Sequence, residues 1–398
     1  MSYAEDLLEG LTTVSTIAMN VESRARLGVL LTDFIVVARA GKIAHGKSTS
    51  SERNLGAQLA INSCFHDADD IDWSVITHPG SVIWASLLES IVLNPQYASR
   101  FTLAAHAGYR TSASVANFLG LSHRKKWHVT TTAGTLASAT TSSVFRDLSK
   151  TQHVTSLRSS ASNMGGIAIA DRRTGAAVFN RASATSLGLL ATDFAASGFP
   201  TASDIWEGER GLIHLFSISN ESAQIFDGVS TTGLRLFPYN GFIQSMVYAI
   251  SELAKNSEGE LLEINIGINA ITRDLANGSV GGNYWNLKHG AASAWQTRDV
   301  TRCMEARPDI VDKVVVEAID IPISGALVTV KTTSGSDSLR WEIAPGLNFG
   351  ESDHNMWQMA KWDRLVGSDY QLAVEFSSLL LSDSADVKTI TSIRDFLL

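Results

Sequence analysis

Residues 66–81 read HDADDIDWSVITHPGS, with four carboxylates, Asp67, Asp69, Asp70 and Asp72, ahead of His78. An imidazole beside a carboxylate is a general-base pair: the carboxylate fixes the ring's tautomer and the ring moves a proton near neutral pH. The apolar helical run SVIWASLLESIVL (81–93) follows at once. Pro79 suits a first helical turn and Ser81 suits a cap, so the spacing puts His78 at a helix start, where backbone N–H groups and the dipole favour an anion. A plain turn is the alternative reading of THPGS. A second histidine, His128 in KKWHVTTTAGT (125–135), stands before a similar small-residue helix start. The set His66, Asp67, Asp69 and Asp70 has metal-ligand chemistry but no second cluster at ligand spacing, so an acidic turn is expected there and no metal.

Other chemistries lack their signatures. The chain has no strand-linked GxGxxG, HExxH or GxSxG, which removes the usual support for dinucleotide, zincin and α/β-hydrolase readings. GSVGGN (278–283) is glycine-rich but follows no convincing strand.

Two textures must position the histidines. Up to about residue 230, apolar residues recur at helical spacing, as in LGVLLTDFIVVARAG (27–41), the run after Ser81, TLASATTSSVFRDL (135–148) and SLGLLATDFAASGF (186–199). Alanine, serine, threonine and glycine are frequent there, which suits close helix packing, and several segments are apolar nearly all round, as buried helices are. In FPYNGFIQSMVYAISELAKN (237–256), Phe242, Ile243, Met246, Val247, Ile250 and Leu253 share one helical face. Next, ELLEINIGIN (260–269) alternates Leu262, Ile264, Ile266 and Ile268 with polar or small residues, the period of a half-buried strand. DKVVVEAIDI (312–321) reads as another strand, and 326–344 as a hairpin turning at Ser-Gly-Ser-Asp (334–337). From His354 the chain is helical again, with Met356, Trp357, Met359 and Trp362 read as packing residues. The expected fold is mainly α: a large all-helical domain, 1–234 completed by 346–398, and a smaller α+β domain, 235–345.

With 398 residues, 44% hydrophobic and 18% charged, the chain is globular, and its net charge of -8 opposes nucleic-acid or anionic-membrane binding. HRKK (123–126) and DRR (171–173) read as solvated surface. Cys64 and Cys303 form no CxxC pair, which fits a reducing cytoplasm. MSYAEDLLEGL has no signal-peptide layout; Ser2 and Glu5 read as a capping box. No run of about twenty apolar residues occurs, so no membrane span is expected.

In order along the chain stand the acidic stretch with THPGS, HAGYRTSASVANFLG (106–120), KKWHVTTTAGTLASA (125–139), RASATSLGLLATDFAASGFP (181–200) and DIWEGERGLIHLF (204–216). This series resembles the MmgE/PrpD family, which includes 2-methylcitrate dehydratase, cis-aconitate decarboxylase and iminodisuccinate epimerase. The resemblance covers residues 25–300. It implies a helical main domain with a smaller lid domain, a homodimer, a cleft between domains, and proton chemistry next to a carboxylate without metal or cofactor.

Residue by residue, the resemblance makes His78 and His128 active-site histidines and one of Asp69, Asp70 or Asp72 the active-site aspartate, with Asp69 or Asp70 orienting an imidazole. Tyr284 in GGNYWNLKHG matches a cleft tyrosine. Thr77 and Asp72 join the expected substrate contacts. Two positions depart from the pattern. Where dehydratases and decarboxylases of the family carry a lysine before a GNAA-like helix, this chain has Ala177 with Arg181 nearby; in RLFPYN, Arg235 stands for a lysine and Asn240 for a histidine. Arginine grips a carboxylate but is no acid, and asparagine moves no proton. The expectation is therefore a dehydratase-type lyase acting on a small organic acid other than methylcitrate or cis-aconitate. An isomerase or epimerase using the same intermediate comes second, and a non-catalytic homodimer of the same fold third.

Overall fold

A computed structural model describes residues 3–14, 17, 19–45, 54–168, 175–218, 223–276, 286–347 and 349–398. The chain divides into two compact units, Met1–Thr232 with Leu365–Leu398, and Gly233–Arg364.

The larger unit is helical: α1 (Tyr3–Thr12), α2 (Val21–His45), α3 (Leu55–Cys64), α4 (Gly80–Leu93), α5 (Phe101–Arg124), α6 (Val129–Phe145), α7 (Lys150–Ala161) and α8 (Gly175–Ala196). At its centre lies α6, in which every residue is buried. Its sequence, VTTTAGTLASATTSSVF, shows why small hydroxyl residues are so common: α4, α5, α7 and α8 all pack against it, leaving no solvent face to make it amphipathic. Buried hydroxyls are satisfied across these contacts, Ser86 Oγ donating to Ser138 Oγ (2.7 Å) and Ser138 Oγ to the Thr185 carbonyl (2.9 Å). The helices approach so closely that a Cβ on Gly188 would lie 2.4 Å from the Ser138 side chain. The expected capping box at the start of α1 lies partly outside the described residues, at Ser2.

Two helices of the C-terminal tail, Asp369–Leu381 and Val387–Leu397, complete this unit. Arg39 of α2 donates to the Asp369 carboxylate (3.1 Å) and the Phe396 carbonyl (3.0 Å), and Thr32 Oγ1 lies 2.6 Å from Ser377 Oγ.

The smaller unit carries a four-stranded sheet, β1 (Leu261–Ile268), β2 (Val314–Ala318), β3 (Ala326–Thr332) and β4 (Gly335–Trp341), in the order β2-β1-β3-β4. β1 runs parallel to β2 and antiparallel to β3. The helix Gln244–Asn256 packs on β3 and β4 and buries the expected apolar face. Leu262 departs from the expected alternation: a register irregularity between Leu261 and Glu263 turns it outward, 53% exposed. The β3–β4 turn is Thr333-Ser334, closed by Thr332 opposite Gly335, one residue before the expected start at Ser334.

The unit boundaries fall at 232/233 and 364/365. The helix Ser352–Val366 therefore belongs almost wholly to the smaller unit, where the texture of the sequence had placed it in the tail. The reason is aromatic: the Trp357 ring packs on Phe237 and Tyr248, and His354 lies against the Gly346 carbonyl. Trp362 is buried, whereas Met356 and Met359 are exposed. Among the described residues no helix is long and apolar enough to cross a membrane.

Candidate active site

Residues 67–79 form a tight loop leading into α4. Asp67 and Ile76 both have positive φ, 51° and 54°, which costs a non-glycine residue free energy. The loop is closed by an antiparallel bridge between Asp72 and Thr77, the Asp72 N–H donating to the Thr77 carbonyl (2.9 Å). The Asp72 carboxylate accepts from the N–H (2.9 Å) and hydroxyl (2.7 Å) of Ser74, which orders the turn. Burial pushes the Asp72 pKa up, and the Ser74 bonds hold it back.

His78, half-buried, sits at the exit of this loop. Its Nδ1 is 2.8 Å from the main-chain carbonyl of Asp70. A carbonyl only accepts, so Nδ1 carries the proton and the neutral ring keeps its lone pair on Nε2. The orienting group is thus the backbone of Asp70, where a carboxylate had been expected. The carboxyl of Asp70 points elsewhere, accepting from the Gly80 N–H (3.0 and 3.1 Å) and from the Tyr109 hydroxyl of α5 (2.9 Å). It caps α4 from within the protein. Ser81, expected as the cap, instead donates its hydroxyl to the His78 carbonyl (2.8 Å). Burial and the neighbouring Asp69 push the Asp70 pKa up to about 7, with the Tyr109 and Gly80 hydrogen bonds acting against them.

Asp69 forms a buried ion pair with Arg181 of α8 (3.3 Å). Burial alone would lower the Arg181 pKa, but Asp69 and Cys64 outweigh it and the pKa is raised. Arg181, expected beside a substrate, therefore has an internal counter-ion.

His128 is the N-cap residue of α6 and also half-buried. Its N–H donates to the Gly166 carbonyl (2.8 Å), and its Nδ1 lies 2.5 Å from Thr131 Oγ1. Thr130 on the first turn of α6 accepts from the His78 N–H (3.1 Å). One threonine thereby ties the two histidine-bearing helix starts together. Thr77, adjacent to His78, is fully buried, and its Oγ1 meets no hydrogen-bond partner among the described residues.

In the smaller unit, Arg235 is 3% exposed and Asn240 1% exposed. Asn240 Oδ1 accepts from the Phe242 N–H (2.9 Å), capping a short 3-10 turn, which leaves Nδ2 as a buried donor without an acceptor among the described residues. Tyr284, GSVGGN and DRR lie outside the described residues. Among the described residues no group of three or more His, Cys, Asp or Glu side chains is arranged to hold a metal ion.

Two features are not legible from the sequence motifs. Tyr109 lies in the stretch HAGYR but carries no expected role; a lone tyrosine on a small-residue helix is the available signal. The other is His106, 3% exposed, whose Nε2 lies 2.5 Å from Asp227. Burial raises the Asp227 pKa, but hydrogen bonds from His106 and Ser230 reverse this and bring it down to about 2.

The comparison of the whole chain with curated proteins finds no significant match. Residues 53–224 match the model of the MmgE/PrpD N-terminal domain, a span that contains the loop, both histidines, Asp69, Asp70, Tyr109 and Arg181. Over this span, under half of the chain, the protein is similar to the MmgE/PrpD family, which includes dehydratases and related enzymes.

Proposed function

We propose that the protein is a dehydratase-type lyase that needs no cofactor and acts on a small organic acid. The observation that carries the reading is the tautomer of His78. Its Nδ1 is held by the Asp70 carbonyl, and the lone pair on Nε2 makes the ring a general base. His78 takes the proton from the carbon next to the substrate's carboxylate; as the carbon–oxygen bond breaks, the leaving hydroxyl takes a proton from His128 and departs as water. Arg235 is assigned to a substrate carboxylate, which its permanently charged guanidinium suits, and Tyr284 to the acid side. With an arginine and an asparagine where relatives of this type carry lysine and histidine, the substrate is neither methylcitrate nor cis-aconitate. We further propose a homodimer in the cytoplasm.

A second reading, isomerase or epimerase, is favoured by one observation. Asn240 Oδ1 is engaged by the Phe242 N–H and its Nδ2 only donates, so this residue binds an acceptor but transfers no proton. Returning the proton to the opposite face of the same carbanion would then replace loss of water.

Proton NMR in D2O with malate, tartrate, citrate, fumarate and iminodisuccinate tests both. Water loss with deuterium next to a carboxylate establishes the lyase; deuterium with inversion and no water loss establishes the isomerase. His78→Asn and His128→Asn should each lower turnover by about 100-fold or more while the protein stays folded. Full activity in both variants rejects the site.

A further inference from the structure

The Asp70 carboxyl is the anion that the start of α4 seeks, and it comes from the protein itself. Both oxygens approach the Gly80 N–H, and one also accepts from Tyr109. Gly80 admits this approach because it lacks a side chain: a Cβ there would lie 2.5 Å from Asp70 Oδ2 and 2.9 Å from the Tyr109 hydroxyl. The same residue holds the His78 ring through its main-chain oxygen. Asp70 therefore grips the segment 78–80 at two points, the ring and the helix start, across a loop pinned in between by the Asp72–Thr77 bridge. Asp70 is 5% exposed and Tyr109 fully buried, its ring packed against Trp84 of α4.

We infer that Asp70 and Tyr109 form a positioning pair for His78: Asp70 fixes the ring by its backbone and the helix start by its side chain, and Tyr109 holds that side chain in place. The inference rests on the reading of His78 as the base. It assigns Asp70 no proton transfer to or from substrate and gives Tyr109 a role in the site. The titratable groups facing Asp70 are Asp69 beside it, itself paired with Arg181 of α8, Asp33 of α2, and Tyr109 of α5. Of these, Tyr109 alone donates to Asp70 and favours its ionised form.

The test uses the full chain and two readouts, the 15N signals of the His78 ring, assigned by their loss in His78→Asn, and kcat against pH on whichever acid of the panel is turned over. Asp70→Asn keeps the carbonyl and an acceptor for Gly80 and Tyr109. It should preserve the Nδ1-protonated tautomer and lower kcat no more than about tenfold, with the Asp70 limb near neutrality gone and the limb of the His78 base kept. Asp70→Ala also keeps the main-chain carbonyl but removes the acceptor of Gly80 and Tyr109, so the helix start shifts away from it; this should mix the tautomers and lower kcat about 100-fold or more at nearly constant KM. Tyr109→Phe should leave the tautomer intact and move the Asp70 limb to higher pH. Should Asp70→Ala not fold, the limb in Tyr109→Phe still decides.

The inference is overturned if Asp70→Asn loses as much kcat as Asp70→Ala with the tautomer unchanged, because Asp70 would then be moving a proton itself. An unaltered ring signal in Asp70→Ala, or an unmoved limb in Tyr109→Phe, also overturns it. Failure of the functional reading looks different: His78→Asn would retain turnover, while the ring signals in the Asp70 variants still report whether the pair positions His78.

Discussion

Arg181 and Asp69 sit in the protein interior with relative side-chain exposures of 7% and 2%. Removing one partner of such a pair strands the other charge, at a cost of about 3–5 kcal/mol. Arg181→Met should therefore destabilise the protein by that amount in urea unfolding, and adding Asp69→Asn should recover a large part of it. Recovery would identify Arg181 as a structural counter-ion; its absence would return Arg181 to the substrate. From sequence, the places of His78 and His128 at helix starts were legible because composition alone marks both starts. The division of labour among Asp69, Asp70 and Asp72 was not. Three carboxylates within four residues look alike in one dimension, and their partners, Arg181, Tyr109 with Gly80, and Ser74, are distributed between remote helices and the loop itself.

At the scale of elements, α6 and its neighbours depend on the absence of side-chain volume. Gly188→Ala would put a Cβ 2.4 Å from Ser138, which the fully packed centre cannot absorb. It should lower stability by about 1–3 kcal/mol. Gly335→Ala, where a Cβ meets nothing within 4 Å, should be neutral or stabilise by about 0.4–1 kcal/mol. Thermal unfolding of the two variants side by side checks both signs. The small-residue content of 130–145 announced this packing, as did the apolar character of 81–93. Boundaries were harder to read: the helix Ser352–Val366 contains Trp357, whose aromatic partners Phe237 and Tyr248 lie more than a hundred residues earlier. Leu262 faces outward because of a local register irregularity that an alternating pattern does not encode.

For the molecule as a whole, buried titratable groups set how stability follows pH. His123 and His153 are pushed down to about 4 by burial, so the stability they contribute is present above their ordinary value of 6.5 and lost as pH falls toward 4. Asp70, raised from 3.8 to about 7, acts the other way, its contribution being lost as pH rises through about 7. Across this window the two histidines oppose the raised carboxyls of Asp70, Asp72 and Glu89. The histidines make stability rise with pH between about 4 and 6.5, and the carboxyls make it fall. Asp70→Asn removes one opposing group and should make stability rise more steeply with pH than in the parent, which urea titrations at several pH values would measure. At lower pH the depressed carboxyl of Asp227 loses its stabilisation as pH falls toward 2.

The tail helices that seal α2 give the protein a schedule of assembly. On the ribosome, Arg39 emerges more than three hundred residues before the Asp369 and Phe396 groups that receive its hydrogen bonds. The smaller unit is synthesised in between and has all its strands before the larger one has its last helices. During that interval the face of α2 that later meets Ser377 and Asp369 is uncovered, so the nascent chain is most vulnerable to aggregation just before the helix Asp369–Leu381 is made.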